Sequence, residues 1–393
     1  MTTSWSNWSG LVSCRPQRIE MPGSEAEVAA IVRRATERNQ TVRVYGSGHS
    51  FQPLCATDDM LLSLDKLAGV ESADRQSLEA TIRAGTKIHD LGEPLRQHGM
   101  ALANQGDVDV QSLAGAISTG THGTGRSLGS LSTQVVGLRL VTADGETFEC
   151  SESNNAEMLS AARVSLGALG VVTAIHMRLV PAYRLHERTW QEPIEACLAQ
   201  LDQHIASHRH FEFFWYPAAD LAHAKSLDPT ESEPDELSDV EGERIDHSDR
   251  IFPTVRENRF NEMEYSLPAE AGPACFREIR TLMRKRHSEV TWPVEYRTVA
   301  ADRIDLGPAH GRETIAISIH QAADLDHRAF FEDAERIFRA HDGRPHWGKL
   351  HSLHAKELAP LYPQWDHFQT VRRRLDPDGR FLNDHLKRLF VAD

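Results

Sequence analysis

The stretch "VRVYGSGHSF", Val42 to Phe51, most constrains the fold, because a β-branched strand runs into a histidine held between glycine-containing turns. Gly46 and Gly48 begin the G-x-G-x-x-G pattern of a dinucleotide-binding turn, but Phe51 stands where that pattern needs its third glycine. Such a turn should also open a helix, and Gln52-Pro53-Leu54 argues against one. The sequence therefore argues against a Rossmann-type nucleotide turn at this position.

A second glycine-rich stretch, "SLAGAISTGTHGTG", spans Ser112 to Gly125. The glycines and small hydroxyl residues between Thr119 and Gly125 would let backbone N–H groups and hydroxyls close on phosphate oxygens. Such a loop suits a pyrophosphate, although a turn rich in Gly and Thr is, on its own, more often structural.

The pattern of the first 180 residues predicts an α+β unit of short strands and a few helices, not a regular βαβ winding. Ser24 and Glu27 form a capping box at the start of the first helix. The predicted helices are Ser24–Asn39 and Ile88–His98, and the predicted strands are Thr41–Tyr45, Met60–Leu64, Leu78–Arg83, Val135–Thr142, Thr147–Cys150 and Val171–Val180.

Beyond Pro181 the pattern predicts a second, antiparallel sheet covered by helices. Its strands are "FEFFWYP", "FNEMEYSLP", "TWPVEYRTV" and "ETIAISIH", and its helices are Ile194–His208, Ala271–His287 and Ala329–His341. The acidic stretch Asp228–Arg250 has almost no apolar residues and predicts a surface loop. We therefore expect three units, residues 1–180, residues 181–342 and a tail over residues 343–393.

The charge and the cysteines limit the class of protein. A net charge of −14, from 57 acidic and 43 basic residues, disfavours nucleic acid and anionic membranes as main partners, because both attract clustered positive charge. No apolar run approaches the roughly 18 residues of a membrane span. The five cysteines, Cys14, Cys55, Cys150, Cys197 and Cys275, lack CxxC spacing and are predicted to be reduced thiols. Since no signal peptide is visible, a cytoplasmic location is predicted.

Candidate catalytic side chains occur on the later strands and in the tail. Glu295 and Arg297, in "PVEYR", share one face of a strand because the side-chain period is two. Buried together they need partners, so they form either a binding site or a salt bridge at a sheet edge. Lys349 is a third candidate, although an isolated lysine is usually solvated. His320 and Glu264 could contact a substrate or be satisfied polar residues of the core.

Two groups of histidines raise the alternative of a metal-dependent hydrolase. The groups are His204, His208 and His210, and His346, His351 and His354. Neither contains H-E-x-x-H or the cysteine spacing of a zinc site. No metal site is therefore predicted, and surface histidines are the preferred interpretation.

Together, "VYGSGHSF" and "AGAISTGTHGTG" resemble the FAD-binding domain of the vanillyl-alcohol-oxidase superfamily. "EYR" at Glu295 to Arg297 and "RPHWGK" at Arg344 to Lys349 follow in the order expected of its sugar-lactone and alditol oxidases, such as gulonolactone, arabinonolactone, alditol and xylitol oxidases. The resemblance covers most of the chain. It implies an α+β fold with a PCMH-type FAD-binding domain over residues 1–180. A substrate-binding cap domain, with an antiparallel sheet covered by helices, would span 181–342, and residues 343–393 would return to the flavin.

The same resemblance implies FAD joined covalently to His49 through the 8α-methyl group of the flavin. A neutral imidazole nitrogen would attack the electrophilic methylene tautomer of the ring, and the glycines would let the backbone approach it. No cysteine lies in the glycine-rich stretch, so a second link is not expected. The residues expected around the cofactor are Tyr45, Gly46, Ser47, Gly48, His49, Ser50, Ser112, Gly115, Thr119, Gly120, Thr121, His122, Gly123, Gly125, Gly170 and Val172.

The implied reaction is oxidation of an alcohol group on a small polyol, sugar or aldono-1,4-lactone, with hydride passing to flavin N5. Glu295 would accept hydrogen bonds from hydroxyls, Arg297 would hold a substrate oxygen or negative charge on the reduced flavin, and Lys349 would orient the alcohol. Oxygen is the expected electron acceptor, giving hydrogen peroxide. The alternatives are a dehydrogenase that uses another acceptor, the metal-dependent hydrolase, and a flavin-fold protein that only binds sugar.

Overall fold

A computed structural model describes residues 4–234 and 240–391. In chain order, the strands of the first part are Trp5–Ser6 (β1), Ser13–Cys14 (β2), Arg18–Glu20 (β3), Val42–Tyr45 (β4), Met60–Ser63 (β5), Val70–Asp74 (β6), Glu79–Arg83 (β7), Met100–Ala101 (β8), Val135–Val141 (β9), Thr147–Ser151 (β10), Val171–Arg178 (β11) and Val180–Pro181 (β12). The helices are Glu25–Glu37 (α1), Gly92–Gln97 (α2), Leu113–Thr119 (α3) and Ala156–Arg163 (α4).

These elements build two small sheets and two antiparallel strand pairs, β1 with β2 and β8 with β12. Strands β3, β5 and β4 form a parallel sheet in that order, and β10-β9-β11-β7-β6 form an antiparallel one. Helix α1 begins after Ser24 as predicted, because the Ser24 side chain accepts the Glu27 N–H at 3.2 Å. The predicted capping box forms only in part, since Glu27 accepts the N–H of Gly23, at 2.9 Å, and not that of Ser24. The predicted helix over 88–98 is wrong in part. It divides into a 3₁₀ turn, Ile88–Asp90, and the short α2, which carries Pro94 in its first turns.

The second part contains one large sheet. Its strands are Arg184–Pro193 (β13), His210–Tyr216 (β14), Leu221–Thr230 (β15), Glu243–His247 (β16), Phe260–Pro268 (β17), Val294–Val299 (β18), Thr314–Ala322 (β19) and Arg344–Pro345 (β20). The helices are Ile194–Ala199 (α5), Leu201–Ser207 (α6), Ser248–Ile251 (α7), Gly272–Arg286 (α8), Arg328–Ala340 (α9), Ala355–Leu358 (α10), Trp365–Leu375 (α11) and Asp384–Phe390 (α12). The eight strands are antiparallel in the order β16-β13-β15-β14-β18-β19-β17-β20, which confirms the predicted second sheet.

Two predictions about this part are corrected. The helix predicted over 194–208 is two short helices, α5 and α6. The acidic stretch 228–250 is not a loop throughout, because β16 pairs with β13 and is followed by α7. Ile245 is buried there, and Arg244 donates to Glu187 at 2.7 Å across the strand pair, so charge is neutralised locally. Residues 235–239 lie outside the described part.

The apolar core forms two large clusters that do not follow chain order. The larger cluster joins residues 28–179 to the carboxyl-terminal residues from Trp347 to Phe390. The second lies between Ile194 and Phe338, where the large sheet packs on α8 and α9. Helices α10, α11 and α12 therefore pack with the first part of the chain.

Arg43, on β4, ties these distant segments together. Its guanidinium is buried and donates to four backbone carbonyls, those of Leu54 at 2.8 Å, Gly167 at 3.0 Å, Leu166 at 2.6 Å and Phe381 at 2.5 Å. Burial lowers the pKa of Arg43 to about 10, which leaves it charged at neutral pH. A fork of five N–H donors can serve this many carbonyls, and an ammonium group cannot.

We predict that Arg43→Lys lowers the free energy of unfolding by about 2–4 kcal/mol, because buried carbonyls lose their donors. Urea unfolding followed by tryptophan fluorescence measures the change. Arg33→Lys is the matched control, since Arg33 gives one bond to the Gly145 carbonyl from a side chain that is 48% exposed. Equal shifts for the two variants would contradict a special role for Arg43.

Candidate active site

A cleft of about 1050 Å³ lies where β4 ends, between the following loop, α3 and residues 166–172. Eleven of the residues predicted to surround the cofactor line it: Tyr45, Gly46, Ser47, Gly48, His49, Ser50, Ser112, Gly115, Thr119, Gly170 and Val172. The loop before the predicted histidine and the glycine-rich stretch thus face one cavity.

The backbone of residues 46–50 allows a ligand in the cleft to approach closely. A Cβ added to Gly46 would overlap the Ser112 hydroxyl, and Gly48 has a left-handed φ of +70°. Within residues 4–234 and 240–391, the backbone N–H groups of residues 47–50 donate to no protein acceptor. Unpaired N–H groups along a wide cleft are what a phosphate-bearing ligand needs, so the residues present fit FAD.

The rest of the second glycine-rich stretch lies elsewhere. Thr121 and His122 line a smaller pocket of about 740 Å³, which His49, Ser50 and Thr119 border from the cofactor side. Gly123 packs against the backbone of Gln105. Gly120 and Gly125 line neither cavity. Gly120 ends α3 with a φ of +77°, and Gly125 donates to the Thr298 carbonyl at 2.9 Å. A cofactor role for these three glycines stays a prediction.

All five predicted catalytic residues, Glu264, Glu295, Arg297, His320 and Lys349, line the smaller pocket. Strand register explains this convergence. Glu264 and Glu295 both pair with Ser318, on opposite sides of β19, and positions two residues along each strand share that face. Lys349 reaches the same pocket from the segment after β20.

A buried carboxylate, Glu264, organises the pocket floor. It accepts hydrogen bonds from Arg297 Nη2 at 2.7 Å, His122 Nε2 at 2.8 Å and Ser318 Oγ at 2.7 Å. Burial alone would raise the pKa of Glu264, but His122, His346 and Arg297 hold it well below the usual range. Burial would likewise lower the pKa of Arg297, yet Glu295 and Glu264 raise it. Both groups therefore stay ionised.

Unlike Glu264, Glu295 has an oxygen without a hydrogen-bond partner in the described chain, and its pKa is raised. Its Oε2 lies 3.2 Å from Arg297 Nη2, while its buried Oε1 has no hydrogen-bond partner in the described chain. Burial raises the pKa of Glu295 to about 7, against the opposing effect of Arg297. An unpaired oxygen in a pocket can accept a hydrogen bond from a ligand hydroxyl, or donate one when protonated.

Lys349 is held by a residue that the sequence analysis missed. Its ammonium pairs with Glu262, which is fully buried and whose pKa is lowered mainly by Lys349 against the effect of burial. His320 donates from Nδ1 to the Pro293 carbonyl at 2.8 Å and turns Nε2 toward Glu262 Oε1 at 3.6 Å. Glu262 stands two residues before Glu264, so the period-two pattern already placed it on the same face.

Glu262, Glu295 and His320 are close enough together to be considered as ligands of a metal ion. One possible ligand atom from each of them lies within 4.8 Å of the other two. Lys349 already neutralises Glu262, and Arg297 lies against Glu295. A divalent ion would have to displace or repel these cations. The prediction that these histidines lie on the surface is wrong for His210 and His346, which are both buried, His346 in the smaller pocket. His208 is partly buried and pairs with Asp228 at 2.6 Å.

His49 borders both cavities. Burial and the charge of Lys349 lower its pKa to about 4, with Glu262 opposing, so the imidazole is neutral at physiological pH. The indole of Trp8 stacks on it with ring centroids 4.9 Å apart and planes at 22°. Trp8 was also missed. Asp107 and Arg256, which pair at the pocket rim, were missed too, and no sequence pattern links them.

Family comparisons agree with this geometry. A model for an FAD binding domain matches residues 16–151, and the D-arabinono-1,4-lactone oxidase family model matches residues 175–247 and 237–389, more than half of the chain. The chain belongs to the D-arabinono-1,4-lactone oxidase family. Like other members of this family, it is an FAD-dependent oxidoreductase that acts on CH–OH groups, which confirms FAD as the cofactor and the predicted enzyme class.

Relatives of this family member cover its whole length. The chain is 37% identical to L-gulono-1,4-lactone dehydrogenase of Mycobacterium tuberculosis over 99% of both chains. It is 30% identical to L-gulonolactone oxidase of Scyliorhinus torazame and 29% identical to alditol oxidase of a Streptomyces species, each over 99% of both chains. The solved structure of cholesterol oxidase from B. sterolicum shares the fold, with a TM-score of 0.86, 16% identity and coverage of 99% and 97%. The predicted resemblance and fold class are confirmed.

We predict that Glu295→Gln changes how stability depends on pH. Because folding raises the pKa of this carboxyl, its contribution to stability is present below about pH 4.5 and is lost as pH rises through about 7. Glutamine carries no charge, so the variant should gain about 2–3 kcal/mol relative to wild type between pH 4.5 and pH 8.

Urea unfolding at the two pH values measures this difference. Glu149→Gln, on the surface, is the matched control. A Glu295→Gln variant whose stability follows wild type at both pH values would contradict the assignment of a high pKa to Glu295.

Proposed function

We propose that this enzyme oxidises an alcohol group of a small polyol, sugar or aldono-1,4-lactone, using FAD bound covalently through His49. The observation that carries the proposal is the convergence of Glu295, Arg297 and Lys349 on a pocket that shares His49 with the larger cleft. The names of the relatives, which include lactone dehydrogenases, lactone oxidases and an alditol oxidase, support this substrate class.

The larger cleft would hold FAD, with residues 45–50 on one side and Ser112, Gly115, Gly170 and Val172 on the other. When bound, FAD supplies the hydride acceptor of the reaction. His49 supplies a neutral imidazole nitrogen, which is the form able to bond to carbon, because its pKa is low and its surroundings are buried.

The smaller pocket would bind a neutral, hydroxylated substrate. Its carboxylates and cations are paired, as in Glu262 with Lys349 and Glu264 with Arg297, so no unpaired charge selects an ionic ligand. Glu295 would accept hydrogen bonds from substrate hydroxyls through Oε1. Lys349 would orient the alcohol, and Arg297 would stabilise negative charge next to the cofactor. His320 and Glu264 would contact or support these groups.

We propose that the three units predicted from the sequence have different roles. Residues 1–180 would bind FAD, residues 181–342 the substrate, and residues 343–393 would return to the flavin. The hydrogen bond from the Phe51 N–H to the Gly348 carbonyl, 2.7 Å, supports this return, since it joins the loop of His49 to the segment of Lys349.

Oxygen would accept the electrons and give hydrogen peroxide, with a dehydrogenase that uses another acceptor as the alternative. The relatives are named as both kinds of enzyme. A cytoplasmic location would agree with five unpaired cysteine thiols. No helix in residues 4–234 and 240–391 combines the length and the apolar character that crossing a bilayer requires.

We predict that acid precipitation of the purified enzyme leaves the yellow colour in the pellet, because the flavin is bonded to the protein. In His49→Ala the colour should move to the supernatant or be absent. His89→Ala removes an exposed histidine and should behave as wild type. Colour released from the wild-type enzyme by acid would rule out the covalent link.

A second prediction concerns the substrate. Anaerobic addition of alditols or aldono-1,4-lactones should bleach the flavin absorbance of wild type, and Lys349→Met should lower kcat/KM about 100-fold or more through lost orientation and charge stabilisation. An oxygen electrode during turnover separates oxidase from dehydrogenase. A flavin that no polyol, sugar or lactone bleaches would contradict the proposed substrate class.

A further inference from the structure

The amino-terminal segment Trp5–Cys14 holds the loop that carries His49. Strands β1 and β2 pair as a hairpin, and its turn reaches the loop at two points. The Trp8 N–H donates to the Gly48 carbonyl at 2.8 Å, and Asn7 Nδ2 donates to the Ser50 carbonyl at 3.0 Å. The residues on both sides of His49 are therefore fixed by neighbours in the same turn.

That turn also fixes the imidazole ring. The Trp8 indole stacks on the His49 ring at 4.9 Å and 22°. The indole is itself held, because its ring lies in edge contact with Phe260 at 5.2 Å and with Phe51 at 6.5 Å. Asn7 in turn accepts the Val12 N–H at 2.9 Å, which stiffens the hairpin turn. The rotation of the His49 side chain is thus restrained by a ring that cannot easily move.

We infer that Trp8 is a positioning residue for the covalent attachment of FAD to His49, an inference that rests on the proposed covalent link. The lone pair of the unprotonated imidazole nitrogen and the N–H bond of the other nitrogen both lie in the ring plane, so a partner stacked on the face leaves both positions free while it fixes their direction. The bond joins one nitrogen to the 8α-carbon. The nitrogen and the carbon each release a proton, the two electrons of the broken C–H bond reduce the isoalloxazine, and molecular oxygen restores it as hydrogen peroxide forms.

Loss of the Trp8 indole should slow formation of the bond between His49 and the flavin more than it weakens the binding of FAD. The hydrogen bonds that hold the loop come from the backbone of residue 8 and from Asn7, so they survive a change of side chain. Without the indole, His49 gains rotational freedom, and a reacting group displaced from its attack geometry by about 1 Å reacts on the order of 100-fold more slowly.

The experiment compares wild type with Trp8→Leu and Trp8→Phe, each produced with little riboflavin and then given FAD in air. Total flavin is measured after gel filtration, and covalent flavin by fluorescence in denaturing gels, over time. We expect Trp8→Leu to bind FAD within twofold of wild type and to attach it at least tenfold more slowly. Trp8→Phe, which retains a stacking ring, should lie within threefold of wild type.

Trp190→Leu is the matched control, because Trp190 also packs its ring on a histidine, His204 at 5.5 Å, on a strand away from the cleft. It should attach FAD as wild type does. Attachment by Trp8→Leu at the wild-type rate would overturn the inference, and so would equal losses of total and covalent flavin. If Trp8→Leu does not fold, Trp8→Met, which also removes the stacking ring, takes its place, and attachment by Trp8→Met at the wild-type rate overturns the inference. Absence of covalent flavin in wild type would instead refute the link through His49.

Discussion

The hydrogen bonds of the Glu264 carboxylate are the interaction on which the site depends. They join the glycine-rich stretch, through His122, to strands β18 and β19, through Arg297 and Ser318. The backbone carbonyl of Glu264 also accepts the His346 N–H at 3.0 Å, which adds the tail. Four distant parts of the sequence thus meet at one buried charge. Removing one partner of such a group is strongly destabilising, because the charge cannot return to water.

Around this centre, neighbouring acids are held in different protonation states. Glu262 and Glu264 are compensated by cations and stay ionised, while Glu295 shares Arg297 and keeps one oxygen unpaired. Carboxylates in one pocket with separated pKa values are typical of functional sites. The pocket therefore offers fixed charges for orientation together with one group that can exchange a proton near neutral pH.

The parts of the fold and of the site that could be predicted from the sequence were mostly those marked by local patterns. Period-two alternation placed Glu295 and Arg297 on one strand face, and the N-cap residue Ser24 placed the start of α1. Partners distant in sequence could not be predicted. The stack of Trp8 on His49 and the ion pair of Asp107 with Arg256 depend on tertiary packing, and no repeat or motif marks them. Strand β16 was missed because pairing with β13 neutralises charges that look solvated in the sequence.

The contact between Arg43 and Phe381 spans 338 positions of the chain and has a consequence for biosynthesis. Phe381 forms part of the wall of the large cleft, whose other walls are made from residues in the first half of the chain. Since a ribosome releases the amino-terminal half first, the cleft in that half lacks one wall until residue 381 has been synthesised. A flavin can therefore meet a complete cleft only after the segment that contains Phe381 has been made and has packed against Arg43.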